Sequence, residues 1–395
     1  MTLSETADRL LQAAVDRGVV PGVVAMVTDG EASIYERAFG ERELGTGKPM
    51  TGDTVMWIAS MTKAVAAAGA MKLVEEGRLQ LDSPAKEVLP WFGEAQVLDG
   101  FDGDRPRLRA PARDVTLRHL LTHTSGFGYT YWNADLKRFA KTRNHDDPDR
   151  LRALKMPMVF DPGTDWLYGI GIDWAGVMIE EVTGQSLGAY LKETVFDPLG
   201  MNDTAFYVPE DRMERMSRMH RKTADGIQVT DPAIPTSSPE LEGGGGGIYS
   251  TMNDYVRFLR MLLNEGRAGD HRILKPETVR MMSVNQIGDL RVRSLKSEVP
   301  ALSCDVDIFP GIEKTWGLSF MINEQDAPTG RPAGSLAWAG LANSHFWVDP
   351  KNGIAGIFAA QMYPFVEEGF LRLYQDFEKA VYDSLQAARP EEPAA

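Results

Sequence analysis

The run Ser60-Met61-Thr62-Lys63 opens a segment, MTKAVAAAGAMKLVEEG, that puts a lysine into a helix of small apolar residues, where a cation is expensive. Three residues are most of one helical turn, so the Ser60 hydroxyl and the Lys63 amine project from the same face. A serine hydroxyl is a poor nucleophile until a neighbouring base takes its proton. Lysine can be that base when burial, nearby positive charge or a helix N-terminus keeps it substantially neutral. Against this, ordinary Ser and Lys usage yields an S-x-x-K about once or twice in a chain of this length. A second copy does occur at Ser83–Lys86, where Pro84 reads as the first helical residue after an N-cap serine and the motif as structural. The motif alone leaves both readings of Ser60 open.

The rest of the chain predicts an α+β protein. Ala7, Leu10, Leu11, Ala14 and Val15 recur at helical spacing. GVVAMV, the pair Asp29-Gly30 and ASIYERAFG read as a β-hairpin, with the glycine supplying positive φ in a tight turn. The small-residue helix stops at Gly77. From Leu81 to about Pro239 the pattern is of helices, including 116–121 and 172–182, separated by polar loops. EGGGGGIYS then passes into a helix capped at Thr251. LSFMIN, SLAW, HFWVD and GIAGIFAA return as strands. A final helix carries Phe370, Leu373, Tyr374, Phe377, Val381 and Leu385 on one stripe, and the tail 389–395 reads as disordered. An antiparallel sheet flanked by terminal helices, built from 1–80 and 245–388 and interrupted by a mostly helical domain at 81–244, is therefore expected. Its active site should lie in the crevice between the two parts.

Composition narrows the function. Forty-two Lys+Arg against 56 Asp+Glu give a net charge of −14 over 395 residues, which argues against sequence-independent binding to nucleic acid or anionic membranes. The single cysteine, Cys304, excludes an internal disulfide and any multi-cysteine metal site, and reads as a buried or loop thiol. No apolar run approaches the roughly 18 residues of a membrane span, and the N-terminus lacks a basic-then-apolar signal pattern, so a cytoplasmic protein is expected.

WIASMTK followed by EEGRLQLDSPAKEVLP, VTLRHLLTHTSGFG (115–128), PGTDWLYGIGIDWAGVMIEEVTG (162–184), GGGGIYSTMNDYVRFLRMLLNEG (244–266) and LAWAGLANSHFWVDP (336–350) together resemble the serine β-lactamase-like superfamily, with S-x-x-K among its motifs. Within it, Tyr-x-x-x-x-Asp-Trp at 168–174 and Trp-Ala-Gly at 338–340 are similar to the family VIII carboxylesterases and the lovastatin-type acyltransferases. QMYPF (361–365) resembles the end of both branches. The resemblance implies a β-lactamase/transpeptidase-like fold with Ser60 as nucleophile, Lys63 as its base partner and Tyr168 as the second-motif tyrosine. It also implies an oxyanion hole from the backbone N–H groups of Ser60 and Leu341, and no metal or organic cofactor.

Two departures from a β-lactamase bear on substrate. Tyr168-Gly169-Ile170 replaces the family's Tyr-x-Asn, and Trp338 stands where a lysine or histidine helps to bind a substrate carboxylate. Losing an amide and a cation favours a neutral, apolar ester. Trp338, Gly340, Tyr129, Phe127 and Ile170 are the expected substrate contacts, with Tyr131 and Trp132 in the same aromatic loop. His119 and His123, four apart, lack the glutamate and third ligand of a zinc site and read as structural. His345 reads as core, and GGGGG is not followed by the Gly-Lys-Ser/Thr of a phosphate loop. The expected function is a serine carboxylesterase acting on small-molecule esters with small to medium acyl groups. The alternatives are an acyltransferase to an alcohol, a weak β-lactamase, and a catalytically silent binding module.

Overall fold

Thr2 opens the first helix by reciprocal capping: its side chain accepts from the Glu5 N–H while the Glu5 carboxylate accepts from the Thr2 N–H. The helix α1 (Leu3–Asp16) buries Ala7, Leu11 and Ala14. In this computed structural model residues 2–143, 146–230 and 232–388 are described; the expected disorder of 389–395 lies outside them. Strands β1 (Gly22–Thr28) and β2 (Ser33–Glu43) pair antiparallel as a hairpin, and β3 (Lys48–Pro49) joins the edge. The turn differs from the expected one. Gly30 does not take a positive φ; the Asp29 carboxylate instead accepts the N–H groups of Glu31 and Ala32, holding a longer loop.

The chain then leaves the sheet. Helix α2 (Thr62–Glu75) is buried on nearly every side, because its small residues let neighbours approach. It packs against α3 (Gly171–Thr183), which ends at Gly184 with φ 71°. The stretch 81–244 is less helical than expected, since Val97–Asp102 pairs with Arg105–Arg109 and Met219–Thr223 with Gly226–Thr230. The first of these hairpins is largely exposed, so no apolar alternation marked it. Ser83 does not cap a helix: Pro84 itself precedes a 3₁₀ turn, Ala85–Glu87, without a side-chain cap, and Lys86 pairs with Asp114. The helix Leu117–Leu121 ends before His123, which adopts φ 59°. Helix α4 (Met252–Leu263) is capped by Thr251 as its sequence predicts.

Five strands complete the sheet: β4 (Lys314–Trp316), β5 (Met321–Asn323), β6 (Leu336–Gly340), β7 (Ser344–Asp349) and β8 (Ile354–Ala359). The order is β4-β5-β6-β7-β8-β1-β2-β3, with every neighbouring pair antiparallel. The last strand thus lies beside the first, and the long excursion between them emerges from one sheet. This is the expected α+β arrangement, an antiparallel sheet flanked by the terminal helices.

Side chains alternate across a strand, and here both faces are covered. Trp347 and Phe358 pack on the terminal helix α5 (Glu368–Ala388), whereas Phe346 packs on Tyr255 of α4. Strands β1, β6, β7 and β8 are therefore buried at every position. The α5 stripe holds one surprise, since Glu378 is fully buried within it, paired with Arg331 at 3.3 Å and accepting from Tyr374. No helix among the described residues is long and apolar enough to cross a membrane.

Candidate active site

Residues 56–57 pair antiparallel with 249–250, and this short ladder carries the glycine run onto the start of α2. The Ile58 N–H donates to the Ile248 carbonyl and the Ile248 N–H to the Thr62 hydroxyl, both at 3.1 Å. From the other side the Tyr255 hydroxyl donates to the Met61 carbonyl. Held this way, Ala59–Met61 forms a 3₁₀ turn in which Ala59 has φ 45°. Such strain in a non-glycine residue persists only where surrounding contacts over-determine it, commonly at functional sites. Ser60 follows directly, its side chain turned to the foot of α2.

Lys63, one turn on, has no exposed surface. Its Nζ donates to Ser60 Oγ at 3.3 Å, to the Tyr129 hydroxyl at 2.9 Å and to the Gly245 carbonyl. Three acceptors match the three N–H bonds of an ammonium. When the amine is neutral, the Ser60 hydroxyl can turn and donate to its lone pair. Burial lowers the Lys63 pKa to about 8, opposed by the negative charge of Asp173. A substantial neutral fraction is thus available just above neutrality, as a general base requires.

Tyr168 completes the set. It is fully buried, its hydroxyl accepts from the Trp338 indole at 2.8 Å, and its ring centroid lies 4.8 Å from Lys63 Nζ. Burial pushes its pKa well up, partly offset by Ser60 and Trp338, so the phenol keeps its proton. His123 sits behind it, ring centroids 4.5 Å apart, with Nδ1 accepting the Gly169 N–H. Burial and the nearby Lys63 hold its pKa well below the usual value, so the imidazole is neutral.

The end of β6 runs against the nucleophile segment. A β-carbon on Gly340 would lie 2.3 Å from the Ile58 carbonyl oxygen, so only glycine permits this approach, and Leu341 is the next residue.

The other expected site residues divide. Tyr129 enters the constellation through Lys63 and stacks on Tyr131 at 4.8 Å. Trp338 is nearly buried and gives its one donor to Tyr168. Phe127 is reassigned: it has no exposed surface and packs with Trp91, Phe92 and Trp174 in the core. Ile170 precedes α3 and is buried. Away from the chemistry, the ring of His119 closes a capping box with Thr116, and His345 is sandwiched among Phe365, Phe370 and Tyr374. Cys304 bonds through its backbone to Phe365. Among the described residues no group of three or more His, Cys, Asp or Glu could hold a metal ion.

Asp173 and Gly245 were the residues given no role from sequence. Asp173 was visible only as part of a motif and Gly245 as one of a glycine run, and their partners lie far away in the chain.

A surface cavity of about 850 Å³ is lined by none of these residues, and its Arg257, Arg260 and Arg267 are already hydrogen-bonded within the protein. A smaller one, about 250 Å³, is lined by Trp57, Met216, Met219, Ile234, Tyr249 and Tyr363 among others. It adjoins the site, because the Trp57 indole donates to the Gly246 carbonyl at 2.7 Å and Gly246 abuts Ala59.

A family model described as Beta-lactamase matches residues 7–380. Lovastatin esterase of Penicillium rubens is 31% identical over 400 residues, covering 96% of this chain and 98% of the relative. Monacolin J acid methylbutanoyltransferase of Aspergillus terreus is 31% identical over 405 residues, covering 98% and 96%. The unliganded simvastatin synthase of Aspergillus terreus superposes with a TM-score of 0.84 at 27% identity, covering 98% of this chain and 99% of that one. EstCE1, a hydrolase with promiscuous acyltransferase activity, shares the fold with a TM-score of 0.78 at 22% identity, covering 96% and 98%.

Proposed function

The chain belongs to the Beta-lactamase family, and from that premise we propose that it is a serine carboxylesterase working through an acyl-enzyme on Ser60. The observation that carries this reading is a fully buried lysine whose amine bonds to the Ser60 hydroxyl and lies over the ring of a buried tyrosine.

Ser60 Oγ bonds to the ester carbonyl carbon while its proton passes to the Lys63 lone pair. The carbonyl π pair moves onto oxygen, where the Ser60 and Leu341 N–H groups would receive it. Collapse re-forms the carbonyl and breaks the bond to the alkoxy oxygen, which leaves with its electron pair and takes a proton relayed from Lys63 through Tyr168. Water then repeats the attack on the acyl-enzyme, its proton going to Lys63, and Ser60 Oγ leaves with the C–O electron pair and takes that proton back from Lys63.

A neutral ester is favoured over a β-lactam because neither Ile170 nor Trp338 presents an amide or a cation to a substrate carboxylate. The 250 Å³ cavity beside Trp57 has room for an apolar group of the ester. Transfer of the acyl group to an alcohol instead of water is a second reading, favoured by the match to the methylbutanoyltransferase over nearly the whole of both chains. Hydrolysis of a chromogenic short-chain ester by wild type and by Ser60→Ala tests the first reading, and retention of most activity by the variant would refute it. Product analysis with a series of alcohol acceptors tests the second, which hydrolysis alone at high acceptor concentration would reject.

A further inference from the structure

Asp173 lies in the first turn of α3, and its Oδ1 accepts the Gly245 N–H at 2.9 Å. A β-carbon on Gly245 would stand 2.1 Å from Oδ2, and one on Gly243 3.0 Å from Oδ1. The glycine run is what lets this carboxylate reach the loop. The carbonyl of the same Gly245 accepts from Lys63 Nζ. One carboxylate therefore holds, by its N–H, the residue that holds the amine by its carbonyl.

We propose that Asp173 is a positioning residue of the acyl-transfer site, which clamps Gly245 onto Lys63 and stabilises the ammonium that Lys63 becomes on taking the Ser60 proton. The inference rests on the reading of Ser60 and Lys63 given above. As Ser60 Oγ bonds to the carbonyl carbon, its proton moves to the Lys63 lone pair and the carbonyl pair moves to oxygen. The Asp173–Lys63 couple passes from one negative charge to none, and Asp173 itself exchanges no proton.

The groups facing Lys63 leave this task to Asp173. Ser60, Tyr129 and Tyr168 are neutral hydroxyls, the last two with pKa values raised by burial. Tyr131, near Asp173, is held neutral in the same way. His123 is neutral because burial and Lys63 lower its pKa. Asp173 opposes the effect of burial on Lys63, while its own carboxyl, raised by burial, is drawn back down by Lys63 and the Gly245 N–H.

The test is the pH profile of kcat/KM for wild type, Asp173→Asn and Asp173→Ala on one ester, with thermal melts and labelling of Ser60 by a fluorophosphonate. Asparagine keeps an acceptor for Gly245, so this variant should fold and label. Its acidic limb should move down by about one pH unit, since losing the anion favours neutral Lys63, and its plateau should fall about tenfold. Alanine should lose more, because Gly245 is released as well. An asparagine profile that superimposes on wild type would overturn the proposal. So would equal plateau losses in both variants with an unmoved limb, the pattern of a purely structural contact. Failure of wild type itself to label at Ser60 would instead refute the underlying acyl-enzyme reading.

Discussion

The indole Nε1 of Trp338 donates to the phenolic oxygen of Tyr168 at 2.8 Å, with the ring centroids 4.7 Å apart. The residue that departs most from a β-lactamase pattern thus acts on the tyrosine proposed to relay the proton. Trp316 stands edge-on to Trp338, also at 4.7 Å, closing it off behind. Trp338→Phe keeps most of the ring and removes the donor, a neutral bond worth about 0.5–1.5 kcal/mol. It should lower kcat several-fold with a small change in melting temperature, and unchanged kcat would remove the supporting role. Trp338→Lys should lower the melting temperature and give no improvement with a carboxylate-bearing cephalosporin, because the ammonium would be buried against aromatic rings.

Lys63 acts as a base only when neutral, so kcat/KM should rise with pH through about 8. Lys63→Ala should lose on the order of 10²–10⁴ in rate, and Lys63→Arg should not restore it, since a guanidinium stays protonated. Near-normal turnover in the arginine variant would contradict the base role.

The same group makes a prediction about stability. Its pKa in the folded protein lies below the ordinary lysine value of 10.5. Between about 8 and 10.5 the unfolded chain binds more protons, so stability contributed through Lys63 rises with pH in that window. The stability of wild type relative to Lys63→Met should therefore increase from pH 7 to pH 10, by up to roughly 3 kcal/mol. Chemical denaturation at the two pH values measures the change, and a constant difference would show that burial does not perturb the amine.

Gly245 and its neighbour Gly246 make a matched pair. Gly245→Ala drives a β-carbon into the Asp173 carboxylate, whereas the nearest atom to one on Gly246 is 3.8 Å away. The first variant should lose activity and melt lower, while Gly246→Ala should be close to wild type in both. Equal behaviour of the two would argue against the clamp.

Ile234→Trp should fill the cavity beside Trp57. Turnover of an ester with a bulky apolar group should fall while that of a small acetate ester is retained. Parallel loss for both substrates would place the substrate elsewhere.

How much of this was legible in the sequence follows from chemistry and distance. Ser60 and Lys63 were readable because one helical turn joins them, and the terminal strands because both covered faces make their apolar runs continuous. The hairpin at 97–109 was not, since an exposed hairpin imposes no apolar alternation. Glu378 is buried beside the apolar stripe of α5, because Arg331 and Thr329 from a distant part of the chain and Tyr374 one turn earlier satisfy its carboxylate. Phe127 looked like a pocket residue because aromatic character says nothing of which way a ring points. The contact of Asp173 with Gly245 could not be read from spacing, since the fold alone brings α3 to the glycine run.

The most direct test of the account is intact-mass analysis of the protein quenched in acid during turnover of a slowly hydrolysed ester, followed by peptide mapping. The expected result is a mass increase of one acyl group, located on Ser60 and absent from Ser60→Ala. Turnover without an adduct on Ser60, or an adduct on another residue that the alanine variant retains, would contradict it.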